Sequence, residues 1–336
     1  MYKPKVNYIG QKSKVEQIAQ TIAMDIEKGV LERNAQLPSI NEFSEENNVA
    51  RDTIEKAYGM LRTQGYIVSV PGKGYFVKSK KDKRISVLLI FNKLSSYKKI
   101  IYESFIETLG DRAKVDLQIH HYNPALLQEI LSTHLGNYHY YVIMPHFFLS
   151  AKKKEYMEIL KAIPKDQLLL LDKTLPELKG QYMSVYQDFR QDILNALVEA
   201  AGYIEKYNRV VIVFPQHSNH PTEIIKGIRE FCGLRGKAFE VIHSIQQQSL
   251  VKGTLYIIIA ESDLATLIKT MRSQGWVLGR EAGIISFNET ILKELLDISV
   301  ITTDFEEMGR TAANLIIERQ YVKIKNPFKI IIRKSV

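Results

Sequence analysis

The chain has 336 residues, of which 45% are hydrophobic and 25% charged, and a formal net charge of +9. That is the composition of a folded protein of two or three domains, which excludes a disordered chain; no apolar run approaches the 18 or so residues of a membrane span. The start, MYKPKVNYIGQKSKVEQ, lacks the apolar region of an export signal, so a cytoplasmic location is expected, and a single cysteine, Cys232, excludes an internal disulfide and reads as a small buried hydrophobe.

Between residues 11 and 30, Val15, Ile18, Ala19, Ile22, Ala23 and Ile26 recur at three- and four-residue spacing and predict one amphipathic helix ending at Gly29. Ser39 precedes Glu42 by three, a capping-box spacing just after Pro38, so a second helix is expected over 40 to 46, broken by Asn47 and Asn48. A third, over 51 to 64, puts Ile54, Ala57, Tyr58 and Leu61 on one face and leaves Arg51, Asp52, Thr53, Glu55 and Lys56 near its exposed start. Beyond Gly65, segments 66 to 70 and 75 to 77 flank Pro71-Gly72-Lys73-Gly74 and read as a hairpin. Helix, helix, helix and wing is the order in which a winged helix-turn-helix holds DNA.

The charge supports that placement only in part. Residues 1 to 77 carry ten basic side chains against nine acidic ones, whereas 78 to 84, KSKKDKR, carries five against one. Such a run is ordinarily a solvated linker, although beside a DNA-binding fold it also suits phosphates, whose neutralisation releases counterions. The domains are therefore set at 1–77, 78–84 and 85–336.

From residue 85 apolar strands alternate with amphipathic helices. The strands are 85 to 91, 115 to 121, 140 to 145, 167 to 172, 210 to 214, 238 to 243, 254 to 260 and 282 to 287, and the helices lie near 98 to 109, 125 to 134, 152 to 162, 189 to 206, 221 to 234 and 262 to 274. Strand, helix, strand repeated this often predicts parallel sheets covered by helices on both faces. The strands are too numerous for one sheet of ordinary width, so an α/β domain of two lobes is expected, with a first crossing at 186 to 188 and a last strand from Pro327 returning to one lobe.

In a winged helix the recognition-helix start enters the major groove while loops and helix ends hold phosphates. Arg51 suits either task, Thr53 and Lys56 suit base or backbone, Lys73 on the wing suits an adjacent groove, and Asp52 suits a cytosine amino group. Leu37-Pro38-Ser39, Val49-Ala50-Arg51, Leu61, Gly65 and Gly72-Lys73-Gly74-Tyr75-Phe76-Val77 resemble the signature of GntR-family bacterial regulators over residues 11 to 77. The resemblance implies double-stranded operator DNA as partner and adds Ser39, Asn41, Gly74 and Tyr75 to the DNA-binding residues. Two positions depart from the family pattern: Ala50 stands where members commonly have serine, and Asn41 where they have arginine.

The remainder is similar, diffusely, to the effector domains of the LacI/GalR family and to periplasmic-binding-protein-like sugar receptors. The best local matches are Ser184-Val185-Tyr186-Gln187-Asp188, the helix start from Pro221 to Gly227, Ala282 to Asn288, and Ile301-Thr302-Thr303 followed by Met308 to Ala313. A GntR-type head on such a domain resembles regulators of the arabinose-repressor type. Open α/β sheets bind ligands beyond the carboxyl ends of their strands. The candidates there are Ser95, Ser96, Tyr97, His146, Phe147, Asp172 and Lys173, then Tyr186 and Asp188 at the crossing, then His217, Asn219, His220, Glu261 and Asn288. Members often have aspartate at the Asn288 position. Short polar groups beside the rings of Tyr97, Phe147 and Tyr186 suit a monosaccharide better than a nucleoside or a peptide.

Competing readings are weaker. His217-x-x-His220 lies in a loop and makes a poor metal pair, and the phosphate-loop, nucleophile-elbow and H-E-x-x-H patterns are absent, so no cofactor, metal or catalytic residue is expected. A regulator responding to a non-sugar metabolite such as a nucleoside is the first alternative; an enzyme acting on the sugar and an exported sugar carrier are the others, opposed respectively by the length of the domain and by the DNA-binding head. The expectation is a homodimeric regulator of carbohydrate-utilisation genes, a repressor with an activator as the alternative, controlled by a small sugar between the lobes.

Overall fold

The computed structural model describes residues 13–78, 84–216, 219–247 and 249–336. In chain order the head comprises α1 (Lys14–Glu27), α2 (Ile40–Asn47), α3 (Arg51–Thr63), β1 (Ile67–Val70) and β2 (Gly74–Val77). There follow β3 (Ile85–Phe91), α4 (Ser96–Leu109), β4 (Ala113–Ile119), α5 (Pro124–His134), β5 (Tyr140–Ile143), α6 (Lys153–Lys161), β6 (Leu168–Asp172) and β7 (Met183–Tyr186). Next come α7 (Phe189–Glu199), α8 (Ala201–Ile204), β8 (Arg209–Val213), α9 (Glu223–Leu234), β9 (Ala238–Ile242), β10 (Thr254–Ile258) and α10 (Glu261–Ser273). The chain closes with β11 (Gly283–Phe287), α11 (Ile291–Leu295), β12 (Ser299–Thr303), α12 (Phe305–Glu318), β13 (Lys323–Lys325) and β14 (Phe328–Ile331). These form two compact units, Met1–Leu94 with Leu109–Ile143 and Ala151–Leu169, and Ser95–Thr108 with Met144–Ser150 and Leu170–Val336.

In the first unit, two capping boxes start the first two helices: Ser13 with Glu16, and Ser39 with Glu42, each serine oxygen accepting from the backbone three residues on. Helix α2 stops where Asn48 turns left-handed at φ 51°, a conformation asparagine tolerates. Ile18, Ile22 and Ile26 of α1, Phe43 of α2 and Ile54, Tyr58 and Leu61 of α3 close on one another together with Ile67 and Val77, so the hairpin shares the helical core. Strands β1 and β2 pair antiparallel from Ile67 opposite Val77 to Val70 opposite Gly74, and Gly72 takes the positive φ the turn needs. Also in this unit, β3 lies parallel between β4 and β5.

The strands of the α/β region form two six-stranded sheets, ordered β13-β7-β6-β5-β3-β4 and β14-β12-β11-β10-β8-β9. In the second unit β9, β8, β10, β11 and β12 are parallel in that second sheet, and β14 joins β12 antiparallel, which departs from the all-parallel expectation. The chain passes between the sheets three times: from β7 to α7, which packs on α9 and β14; from β12 to α12, which packs on β7; and from β13 to β14. The helix expected over 189 to 206 is interrupted at Ala200. Strands β7, β12 and β13 and helices α11 and α12 are further elements. The sequences of the strands are short or polar, such as KIK in β13 and SVITT in β12, and carry no apolar run to mark them, whereas α12 spaces Met308, Ala312, Leu315 and Ile316 on one buried face, a helical pattern present in the sequence.

Helices α4 and α12 approach so closely at Gly309 that a Cβ there would stand 2.0 Å from Ser104 Oγ and 2.4 Å from the Ile101 carbonyl. Gly309→Ala is therefore expected to lower stability by about 1–3 kcal/mol, the usual penalty for overpacking, in urea denaturation followed by circular dichroism. Gly59→Ala, on α3 with open space around it, should instead stabilise the head by about 0.5–1 kcal/mol.

Candidate functional site

Two surfaces carry the residues singled out by sequence. On the head, Ala50 occupies the N-cap of α3 and makes no side-chain cap. Arg51, Asp52 and Lys56 are exposed, Thr53 is half-buried, and Lys56 pairs with Asp52 one turn away at 2.7 Å. Asn41 is exposed on α2, whereas the Ser39 hydroxyl is engaged in its cap. On the wing Lys73 is exposed, and its carbonyl accepts from Gln36 Nε2 at 2.8 Å, which ties the turn to the body of the head. Gly74 sits at φ 101°, and the Tyr75 ring packs edge-on against Tyr58 with centroids 4.8 Å apart.

The second surface belongs to the second unit. At the carboxyl end of β6, Asp172 turns left-handed at φ 76° and buries its carboxylate. Oδ2 accepts from Lys98 Nζ at 3.0 Å and lies 2.9 Å from His146 Nε2, while Oδ1 accepts from Gln187 Nε2. Burial alone pushes Asp172 up, but the Lys98 ammonium and the His146 contact outweigh it and hold the carboxyl well below the usual carboxylate range. For His146 burial is the larger influence and Asp172 opposes it, so the imidazole titrates below its ordinary value. The tautomer that fits the network is neutral, with its proton on Nε2 donated to Asp172.

In the second sheet the matching position is the end of β11, where Asn288 is left-handed at φ 61°. Lys293 folds back beneath it, donating from Nζ to the Phe287 carbonyl at 2.7 Å and the Asn288 carbonyl at 2.9 Å, with Glu261 3.7 Å away. Burial draws this ammonium below the ordinary lysine value against the pull of Glu261 and Glu289. Glu289 is itself paired with Arg333 at 2.6 Å. Tyr97, at the start of α4, stacks on Phe305 with centroids 5.1 Å apart, and burial together with the charges of Glu261 and Glu289 pushes its hydroxyl up to about 12.

The structure thus brings His146 and Asp172 into one network and Tyr97 into the electrostatic field of Glu261. The Ser95 hydroxyl accepts from the Lys98 amide at 3.3 Å, Ser96 begins α4, and Asp188 caps α7 by accepting from Gln191 N at 3.2 Å. Phe147, Lys173, Tyr186, Asn219 and His220 are half-buried, and His217 lies outside the described residues. Lys98, Lys293 and Phe305 were not singled out by sequence, and Gln187 only as part of the local match 184 to 188. Lys98 had a signal, since it lies in the helix start that supplies Tyr97, but nothing in the pattern around Lys293 distinguishes it from a solvated lysine. Among the described residues no group of three His, Cys, Asp or Glu side chains is placed to hold a metal, and no helix is long and apolar enough to cross a membrane.

Residues 14–77 match the family model for bacterial regulatory proteins of the gntR family. The head is a gntR-family domain. Over 109 residues the chain is 38% identical to the uncharacterized HTH-type transcriptional regulator YurK of Bacillus subtilis, which is 32% of this chain and 41% of that protein. It is 39% identical over 64 residues to a probable fructoselysine utilization operon transcriptional repressor of Escherichia coli, 19% of this chain and 26% of that one. The matched regions therefore span less than half of these relatives. The α/β region resembles the trehalose repressor from Escherichia coli, with a TM-score of 0.60 at 15% identity over 74% of this chain and 99% of the other. It also resembles a periplasmic binding protein/LacI transcriptional regulator from Alkaliphilus metalliredigens solved with D-xylulofuranose, with a TM-score of 0.56 at 13% identity over 75% of this chain and 98% of that one. At such identities the likeness shows the fold, that of periplasmic-binding-protein-like LacI regulator domains behind a gntR-type head.

The His146 environment predicts a pH dependence. Its folded pKa lies below 6.5, so the unfolded chain takes up the proton first as pH falls, and the stability His146 contributes is present above about 6.5 and declines below it, by at most about 1.4 kcal/mol per pH unit. The depressed Asp172 carboxyl acts only in a more acid window, below its unfolded value near 3.8. His146→Gln keeps a donor for Asp172 and removes the titration, so its urea midpoint should fall less between pH 7 and pH 5 than that of the unmodified protein. An equal slope in both would contradict the assignment.

Proposed function

We propose that the chain is a DNA-binding transcriptional regulator whose gntR-type head, ending at residue 77, is joined through 78–84 to an effector domain over 85–336. The observation that carries this reading is the match of residues 14–77 to the gntR family in a chain whose remainder folds as two parallel-sheet lobes. Arg51, Thr53 and Lys56 at the start of α3 and Lys73 on the wing are exposed or half-buried, as DNA contacts require, and the uncapped first turn of α3 suits a phosphate. Asn41, Gly74 and Asp52 flank this surface, while Ser39 and Tyr75 serve it from behind as cap and packing residues.

The effector in this reading is a monosaccharide held by groups at the carboxyl ends of the strands, with Asn288 as the mixed donor and acceptor of the second lobe. The D-xylulofuranose complex supports that class, and the names of the fructoselysine and trehalose repressors support a carbohydrate-related effector more broadly. The protein acts in the cytoplasm as a homodimeric repressor and returns its ligand unchanged. Ile291, Leu292 and Leu295 on α11 are each more than two-thirds exposed, an apolar cluster suited to a subunit contact.

Selection of bound duplexes from a random DNA pool tests the reading, and a chain that enriches no sequence would overturn it. On the selected duplex, Arg51→Ala should weaken binding by about 1–3 kcal/mol, and Lys73→Ala should lower the salt slope by about one ion. A thermal-shift screen against monosaccharides should give a hit that Asn288→Ala loses, because a ligand bound only by the folded state raises its stability.

A further inference from the structure

All three passages between the sheets meet at one buried residue, the first through its backbone and the other two through its side chain. Asn326, 2% exposed, lies between β13 of the first sheet and β14 of the second. Its backbone N–H donates to the Tyr186 carbonyl at 2.7 Å, on the first passage. Its Nδ2 donates to Thr303 Oγ1 and the Asp304 carbonyl, both at 2.8 Å, on the second passage, with the Pro327 carbonyl farther off at 3.3 Å on its own. Two further bonds close the set: the Asp304 N–H donates to the Pro327 carbonyl at 3.0 Å, and the Thr303 hydroxyl donates to the same oxygen at 3.1 Å.

The chemistry of the amide fixes its orientation. Three oxygens surround Nδ2, and two of them, the Asp304 and Pro327 carbonyls, can only accept, so turning the amide over would set Oδ1 against both and cost the Thr303 hydroxyl its bond to Pro327. As placed, Oδ1 is buried without a protein partner, and the side chain is retained for its donors. Asp192, at the buried start of α7, adds a charge contact across the same region by accepting Lys325 Nζ of β13 at 2.6 Å. A hinge needs a few residues at element ends that absorb backbone rotation while their neighbours stay in register. Hydrogen bonds that hold three such ends at a single point meet that need, whereas side-chain interdigitation would resist rotation.

We infer that the three connecting segments form a hinge and that Asn326 is its fastener, a positioning residue that makes them move as one. The inference stands on the second unit alone and does not depend on which DNA or effector the protein binds. Two measurements on the full chain test it. In hydrogen exchange, Asn326→Ala should speed exchange at the Asp304 and residue-326 amides at least tenfold while leaving β8 and β10 unchanged. In a Cys232→Ala background, spin labels at Lys99→Cys on α4 and Lys269→Cys on α10 should give a broader distance distribution when Asn326 is replaced. A residue that merely supports the fold would shift overall stability without widening that distribution. Unchanged exchange at the two amides together with an unchanged distribution would overturn the assignment. If Asn326→Ala loses protection throughout, Thr303→Val, which removes one acceptor of the clasp, decides: faster exchange confined to residues 304 and 326 supports the fastener, and wild-type exchange refutes it.

Discussion

Two lysines hold the ends of two strands, and much of the candidate effector site depends on them. Asp172 closes β6 and Asn288 follows β11, one from each sheet, and both take a left-handed backbone that few residues other than glycine adopt without cost. Each is braced by a buried ammonium. Lys98 meets the Asp172 carboxylate, and Lys293 meets the carbonyls of Phe287 and Asn288. An ammonium taken out of water costs several kcal/mol unless its protons are satisfied, so these lysines are retained only where the surrounding oxygens compensate. The consequence is a pair of strand ends held in place before any ligand arrives, Asp172 through its carboxylate and Asn288 through its backbone, which reduces the ordering cost of binding.

The two ends differ in what they offer. The Asp172 carboxylate is already occupied by Lys98, His146 and Gln187, so it orients donors around it more than it presents an acceptor. Asn288 is braced through its backbone, and its side-chain amide retains both donor and acceptor character. A ligand rich in hydroxyls suits that combination, since each hydroxyl donates once and accepts on its lone pairs.

How much of this could be read beforehand varies with the kind of signal. The head was legible almost to the residue. Ser39 three before Glu42 marked the start of α2, Asn48 its end, and the Gly72 turn the wing, because caps and turns are local and depend on one or two residue types. The long apolar strands were equally plain. Strand β13 was not, since KIK is wholly exposed and pairs only because β7 offers it an edge, and β14 reversed direction for reasons that lie in the path of the chain rather than its composition. For the candidate site, the positions of the strand ends were legible in the sequence. The bracing role of Lys293 was not, because a lysine becomes a buried cation only when carbonyls from another turn of chain surround it. The Asn326 clasp was invisible for the same reason: its partners lie 23 and 140 positions away along the chain.

The proposed function requires small-molecule binding in the α/β region and DNA binding by the head to be thermodynamically linked. The direct measurement is the affinity of the protein for its selected duplex with and without a saturating concentration of the monosaccharide that raises its melting temperature. Linkage predicts a change of roughly 5- to 150-fold, corresponding to a coupling of about 1–3 kcal/mol, and an equal change in sugar affinity when the duplex is added. Identical duplex affinity in the presence and absence of a bound sugar would contradict it.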